Sequence, residues 1–350
     1  MKLYKSNCGQ NPPLGGWGLL FFIILLTACQ QKREVSTSFY YWKTVYKQNE
    51  VENQYQNRLH SKQLYVRIMD VDLDINLKAI PVAPINFAEH IPKQLEIVPV
   101  VYIVNEVLKS QSDTQLKQLA GKITTYVNAK VKQSGKGNFK ELQIDCDWTA
   151  TTRDQYFALL QEIKKLARGK IISSTLRLHQ LKNQAKSGIP PVDKVLLMCY
   201  NMGNLRKSGV QNSILDLAEL KKYAGKNLGF YPIDIDVALP LFSWSVVFRN
   251  EQYAGISKRV SLKDLKNTTM FITQNDGLYL AKNDLPEFGL IKGDIVRYEE
   301  SKYEDIEKAA EYLSTYLPQK PINLIYYHLD QNLLKNYEIT KLENIAGILR

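Results

Sequence analysis

A (β/α)8 barrel with a small β-rich insertion after the seventh strand is the fold this 350-residue sequence predicts. Three observations predict it. Strand-like runs alternate with amphipathic helical segments, the signature of βα units around a parallel sheet. Eight such runs follow one another in a chain of conventional length for a barrel. The Gly-x-Gly-x-x-Gly turn that would favour an open dinucleotide-binding sheet does not follow the first run.

The N-terminus reads as an export signal. Lys2 and Lys5 precede an apolar run, Trp17 to Leu26, that falls short of the roughly 20 residues a membrane span needs. The run ends in Leu26-Thr27-Ala28-Cys29, a lipobox: small residues fit a signal peptidase, and Cys29 supplies the thiol that lipoprotein processing alkylates. Residues 1–28 are therefore expected to be a signal peptide and residues 29–38 a lipidated tether, with the barrel over 39–350. In lipoproteins that resemble this one an uncharged residue after the cysteine, here Gln30, goes with outer-membrane sorting. The expected location is the cell envelope, held to the membrane through lipid on Cys29.

Strands are expected over 39–46, 64–69, 97–104, 142–147, 170–177, 195–201, 237–247 and 322–327, all rich in Val, Ile and Tyr. Capping boxes open three helices: Ser112 with Gln115, Thr152 with Gln155, and Ser301 with Glu304. Apolar stripes follow at helical spacing, such as Leu116, Leu119, Ile123, Val127 and Val131. A shorter helix, 215–223, stops at Gly225. Only the region from about 249 to 300 breaks the rhythm. It alternates apolar and polar residues in short runs around Asn275-Asp276-Gly277 and Lys292-Gly293-Asp294, and is expected to be the insertion.

Composition narrows the function. Removing the signal takes away two lysines and no acid, so the formal charge falls only from +11 to +9. The lysines are scattered among acids without an arginine-rich arm, so a solvated surface is expected and nucleic acid is not a partner. Cys146 and Cys199 sit in separate apolar runs and are expected to be buried and unpaired. The four histidines are solitary, so no metal is expected. No P-loop, Gly-x-Ser-x-Gly elbow or His-Glu-x-x-His appears, and no cofactor is expected.

Catalytic groups of a barrel project from the C-terminal strand ends. The fourth run, Leu142-Gln143-Ile144-Asp145-Cys146-Asp147-Trp148-Thr149, is the strongest candidate. Alternation along a strand puts Asp145, Asp147 and Thr149 on the inner side, with Cys146 and Trp148 toward the helices. Two carboxylates that close cannot both ionise cheaply, so one is expected to hold a proton. Asp70, Asp72, Arg177, His179, Asp236, Trp244 and His328 stand at other strand ends. An arginine among carboxylates could grip a hydroxyl-rich ligand, and Trp244 could stack on a sugar ring or pack in the core.

The run Ile144 to Thr149 resembles the fourth-strand signature of chitinase-like family 18 glycoside hydrolases, in which spaced aspartates lead to a glutamate after the tryptophan. Met198-Cys199-Tyr200-Asn201 is similar to that family's sixth-strand Met-x-Tyr-Asp/Asn, whose polar residues contact the sugar. The resemblance implies a glycan as partner. It implies Asp145 and Asp147 as catalytic residues, with Asp147 orienting an N-acetyl sugar in substrate-assisted cleavage. Tyr200, Asn201, Arg177, His179, Trp244 and Asp72 would then line the substrate cleft. One position departs: Thr149 stands where the family has its proton-donating glutamate. Glu106, in an Asn105-Glu106 pair similar to the acid dipeptide of other glycosidase barrels, is the candidate replacement. The rival expectation is a non-catalytic glycan-binding or envelope-interaction protein that lost the acid at Thr149.

Overall fold

The computed structural model describes residues 32–350 except Lys258 and Asp276, so Cys29 and the expected signal peptide lie outside the described residues. Residues Arg33–Arg350 form a compact unit of their own. No helix among the described residues is long and apolar enough to cross a membrane.

Seven parallel strands open the chain: β1 Val35–Tyr41, β2 Gln63–Leu73, β3 Glu96–Ile103, β4 Glu141–Asp145, β5 Ile171–Arg177, β6 Lys194–Met198 and β7 Asp234–Pro240. Five antiparallel strands follow, β8 Ser243–Arg249, β9 Gln252–Ser257, β10 Phe271–Asn275, β11 Leu278–Ala281 and β12 Ile295–Glu300, before β13 Ile322–Tyr327. β13 pairs with β7 and with β1, and β1 with β2, so eight parallel strands close into a ring. The predicted barrel is the observed one. Helices α1 Glu50–Arg58, α2 Asp113–Gln133, α3 Arg153–Leu166, α4 Leu178–Lys182, α5 Leu217–Tyr223, α6 Tyr303–Tyr316 and α7 Ile339–Ile348 are the main ones between and after the strands. α2, α3 and α6 bury the expected stripes, including Leu116, Ile123 and Val127, then Leu159 and Ile163, then Ile306 and Leu313.

Several boundaries move. The polar-looking stretch expected to be tether up to Ser38 gives its last four residues to β1, where Val35 registers with Ile322. Its hydroxyls are satisfied inside: Thr37 donates to the Leu59 carbonyl and Ser38 to Asn323 Oδ1 at 3.0 Å. The seventh strand stops at Pro240, and Ser243–Arg249 belongs to the antiparallel sheet, so the insertion begins at 243. Of the three capping boxes, Ser112–Gln115 forms. The Thr152 hydroxyl instead accepts from the Thr149 amide at 3.0 Å, and that of Ser301 donates to the Phe242 carbonyl at 2.9 Å. In both cases a loop that must turn off the barrel rim outcompetes the helix end for the same hydroxyl.

The insertion has its own apolar core, built around Val247, Val260, Leu265, Phe271, Tyr279 and Val296. The barrel interior near the N-terminal strand ends is polar. Lys194 Nζ lies 2.8 Å from Glu141 and 2.7 Å from Asp236. Ser173 donates to Glu141 at 2.6 Å, and the Asn323 amide donates to Asp236 at 2.7 Å. Cys146 and Cys199 are buried and unpaired, as expected.

Arg33 locks the chain entry. Its buried guanidinium donates to the carbonyls of Leu317 at 2.7 Å, Pro318 at 2.9 Å and Leu349, which end α6 and α7. Arg33→Ala would strand those carbonyls without donors and is expected to destabilise the fold by about 2–3 kcal/mol. Urea unfolding followed by circular dichroism checks this, and an unchanged midpoint would show that water replaces the guanidinium freely.

Candidate functional site

β4 builds the floor of the mouth. Gln143 and Asp145 point inward, where the Tyr40 hydroxyl bonds Gln143 and Thr175 Oγ1 donates to Asp145 at 2.6 Å. Trp148 turns outward, as alternation predicts. It is buried, stacks on Tyr156 at 5.1 Å, and donates its indole N–H to the Ser187 carbonyl at 2.9 Å. Pinning Trp148 fixes the loop, so Asp147 stands at the barrel mouth with its side chain 47% exposed.

Asp145 and Asp147 share a cavity of about 230 Å³ with Asp70, Arg177, Asn201 and the aromatic side chains Tyr40, Trp42, Tyr102, Tyr200 and Tyr327. Tyr200 stacks on Tyr327 at 5.0 Å, with Tyr40 and Trp42 each 5.6 Å from Tyr327. The Tyr327–His328 peptide bond is cis. Arg177 bridges the wall: its guanidinium lies 3.5 Å from Asp147 and donates to the Asn201 carbonyl at 3.0 Å. Asn201 has a left-handed backbone, φ 54°, which asparagine tolerates better than most residues, and its buried Oδ1 has no hydrogen-bond partner. An unpaired acceptor in a cavity wall is a contact waiting for a donor such as a hydroxyl or amide.

Burial, then the charge of Asp147, pushes the Asp145 carboxyl up to about 7, so it holds a proton through much of the acid range. Burial also pushes the Tyr40 and Tyr200 phenols well up, which keeps them as neutral donors. Asp70 is committed, because Arg67 engages both its oxygens.

A second cavity, about 890 Å³, opens outward from the first and shares Trp42, Asn201 and Tyr327 with it. Trp244, Tyr298 and Glu300 from the insertion line it, together with His328. Trp244 is half-buried and donates to Glu299 at 2.9 Å. Glu299 is itself held by Arg297 at 2.6 Å and by the Ser213 amide at 2.7 Å. The indole is therefore both packed and presented to the cleft.

Asp145, Asp147, Arg177, Tyr200 and Asn201 meet in the inner cavity, and Trp244 lines the outer one. Three expected residues lie outside. Glu106 sits in the 3-10 turn Asn105–Ser110, exposed and paired with Lys109 at 2.6 Å, because the chain leaves β3 sideways over the rim. Asp72 lies where β2 runs past the rim to pair with Ala79–Val82, and its carboxylate accepts from the next amide, Leu73, at 2.8 Å. His179 is exposed on α4; partial desolvation and then Arg177 lower its pKa. Thr149 bonds Thr151 at 2.9 Å on the surface. The aromatic lining, Tyr40, Trp42, Tyr102 and Tyr327, was not anticipated. The first and last strands each end in aromatic residues, and that was the available signal.

A closed ring of eight parallel strands with acids and aromatics at its C-terminal mouth defines a (β/α)8 barrel with a polar, aromatic-lined cleft. No family model matches the chain, and no curated protein does. Solved structures do. The spore cortex-lytic enzyme SleL of Bacillus cereus is similar at a TM-score of 0.52 and 15% identity, over 91% of this chain and 75% of that one. A chitinase from Bacteroides thetaiotaomicron gives 0.52 and 12%, over 90% and 96%. The group IV chitinase of Ostrinia furnacalis, solved with allosamidin, gives 0.50 and 11%, over 90% and 98%. These likenesses bear out the fold that the resemblance in the fourth and sixth strands implied.

Proposed function

We propose that this protein is an envelope lipoprotein whose barrel mouth binds a glycan bearing N-acetyl groups and does not cleave it. The observation that carries this reading is the state of the carboxyl groups. Among the described residues the inner cavity holds three, and each is engaged: Asp70 by Arg67, Asp145 by Thr175 and Asp147 by Arg177. Thr149 occupies the position where the similar motif has its acid, and Glu106 faces solvent. Asp145 keeps a proton but lies buried on the cavity floor against Thr175, and neither Thr149 nor the solvent-facing Glu106 supplies the exposed acid beside a glycosidic oxygen that general acid catalysis needs.

The same cleft suits binding. Neutral phenols, the Arg177 guanidinium, the protonated Asp145 and the unpaired Asn201 oxygen supply donors and acceptors for hydroxyl and amide groups, and Trp42, Tyr327 and Trp244 offer faces for pyranose rings. The chitinases and the cortex-lytic enzyme of similar fold point to N-acetylglucosamine-containing polymers. The lipobox at Leu26 to Cys29 supports export and lipid anchoring, and Gln30 supports the outer membrane.

Titration calorimetry of residues 30–350 with chitin oligosaccharides and peptidoglycan fragments, followed by chromatography of the mixture, tests this. Saturable binding without new reducing ends is expected. Asp147→Ala or Trp42→Ala should weaken it at least about tenfold, near 1.4 kcal/mol. Released products would defeat the non-catalytic reading, and no binding to any fragment would defeat the glycan reading.

A further inference from the structure

In a (β/α)8 barrel the helices run back against the strands, so the turns leading into the strands and the last turns of the helices share the end opposite the mouth. In this chain that end is basic. The segments leading into the eight barrel strands, 32–34, 59–62, 88–95, 134–140, 167–170, 188–193, 230–233 and 317–321, carry nine Lys or Arg against three acids. The surplus gathers on one arc, from β1 to β5. Lys140 pairs with Glu96 there, and Lys164 with Asp193. Lys62, Lys93, Lys132, Lys136, Arg168 and Lys170 have no carboxylate within 4.0 Å among the described residues, and Lys62, Lys93, Lys132 and Arg168 are exposed. Among the described residues the mouth cavity holds no such unpaired cation: its Arg177 faces Asp147, and Arg67 engages Asp70.

Cations at helix C-termini complement the helix dipole, which accounts for Lys132 at the end of α2. It does not account for Lys62, Lys93 and Arg168, which lie in turns. The chain also enters the barrel at this end. Arg33 is fixed there against the ends of α6 and α7, and from Cys29 to Arg33 even a fully extended chain reaches only about 14 Å. A lipid on Cys29 therefore brings the basic end, and not the mouth, within roughly a Debye length or two of the membrane surface, where Lys and Arg are attracted to anionic headgroups.

We propose that the basic end of the barrel, centred on Lys62, Lys93, Arg168 and Lys170, is a docking surface for an anionic phospholipid bilayer, so that the protein rests on its membrane with the glycan-binding mouth turned away. The orientation rests on the lipid-anchor reading; the affinity of the surface for anionic lipid does not. An outward mouth fits a ligand held at a distance from the bilayer, as a polymer layer is, and would exclude headgroup sugars of the supporting leaflet.

The test is vesicle flotation with residues 30–350, which lack the lipid. Vesicles of phosphatidylcholine with about 30% phosphatidylglycerol are compared with phosphatidylcholine alone, at about 0.1 M and 1 M salt, where the Debye length falls from about 10 to about 3 Å. Binding to the anionic vesicles at low salt, lost at high salt and absent without phosphatidylglycerol, is expected. Each basic group near such a surface is worth roughly fivefold in partitioning, so the Lys62→Glu, Lys93→Glu, Arg168→Glu, Lys170→Glu variant should bind at least on the order of a hundredfold more weakly. The same charge change made by Lys186→Glu, Lys266→Glu, Lys282→Glu and Lys292→Glu, all exposed residues outside this end, should retain most of the binding. Equal loss in both variants, equal binding to neutral vesicles, no vesicle binding, or binding only to a soluble polyanion such as heparin would each overturn the proposal. Mass spectrometry of the Cys29 peptide from the full-length protein reads the anchor separately, and glycan titration of the first variant reads the mouth separately.

Discussion

Asp145→Asn is expected to stabilise the protein at pH 8 and to leave its stability unchanged at pH 4. Asp145 lies at the floor of the mouth, 8% exposed, with a hydrogen bond from Thr175 and the charge of Asp147 beside it. Burial, then Asp147, raises its pKa from 3.8 in the ordinary state to about 7 in the fold. The sign follows from proton counts. Below pH 4 both folded and unfolded chains keep the proton, and the residue contributes nothing. Between pH 4 and 7 the unfolded chain releases the proton and the folded one holds it, so wild-type stability falls with rising pH. Above pH 7 both are ionised and the loss is complete, at most about 4 kcal/mol. Asparagine cannot ionise and should escape that loss while still accepting from Thr175. Guanidinium unfolding of both proteins at pH 4, 6 and 8 reads the difference. A variant no more stable than wild type at pH 8 would show that Asp145 is ionised in the fold and solvated from the cavity.

Lys194→Met should be the most damaging single change in the barrel interior. The ammonium joins Glu141, side chain 2% exposed, to Asp236, 11% exposed. Burial pulls the Lys194 pKa down, but Tyr65, Asp236 and Glu141 outweigh it and hold the group charged. Methionine fills similar space and leaves two enclosed carboxylates facing each other without a cation. Breaking a buried pair in this way costs about 3–5 kcal/mol, a fall in Tm on the order of 10 °C for a chain of this size. The triple variant with Glu141→Gln and Asp236→Asn removes the stranded charge and should recover much of the loss. A thermal scan of the three proteins decides it, and a single variant as stable as wild type would mean that the carboxylates take up protons at little cost.

The barrel was legible because its elements carry local signals. Helical stripes such as Leu116, Leu119, Ile123 and Val127 can bury only one way, and the parallel strands read as Val and Ile runs. The strands that were misplaced have polar interiors or share their edges. Val35-Ser36-Thr37-Ser38 reads as a tether because nothing local reveals that Asn323 and the Leu59 carbonyl satisfy its hydroxyls from far along the chain. Leu241 to Val247 reads as continuous with the seventh strand because both pieces are apolar, although they belong to different sheets.

The site divides along the same line. Asp145 ends β4, and Asp147, Tyr200 and Asn201 stand just beyond the ends of β4 and β6, where two short motifs marked them. Glu106 failed because a 3-10 turn carries it away from the mouth, and Asp72 because its strand continues beyond the rim to pair with Ala79–Val82. Tyr40, Trp42 and Tyr327 were hidden by ring closure, since only the pairing of the first strand with the last brings them together.

The antiparallel sheet that carries Trp244 packs on an apolar core of its own and lines the outer cleft with Trp244, Tyr298 and Glu300, the indole braced by Glu299 and Arg297. Mouth width and ring stability are therefore separately heritable: changes in the outer jaw can alter which ligands fit while the chassis beneath keeps its eight-stranded closure untouched. For engineering, grafting a different jaw between Pro240 and Ser301 is a more economical route to a new specificity than rebuilding the floor.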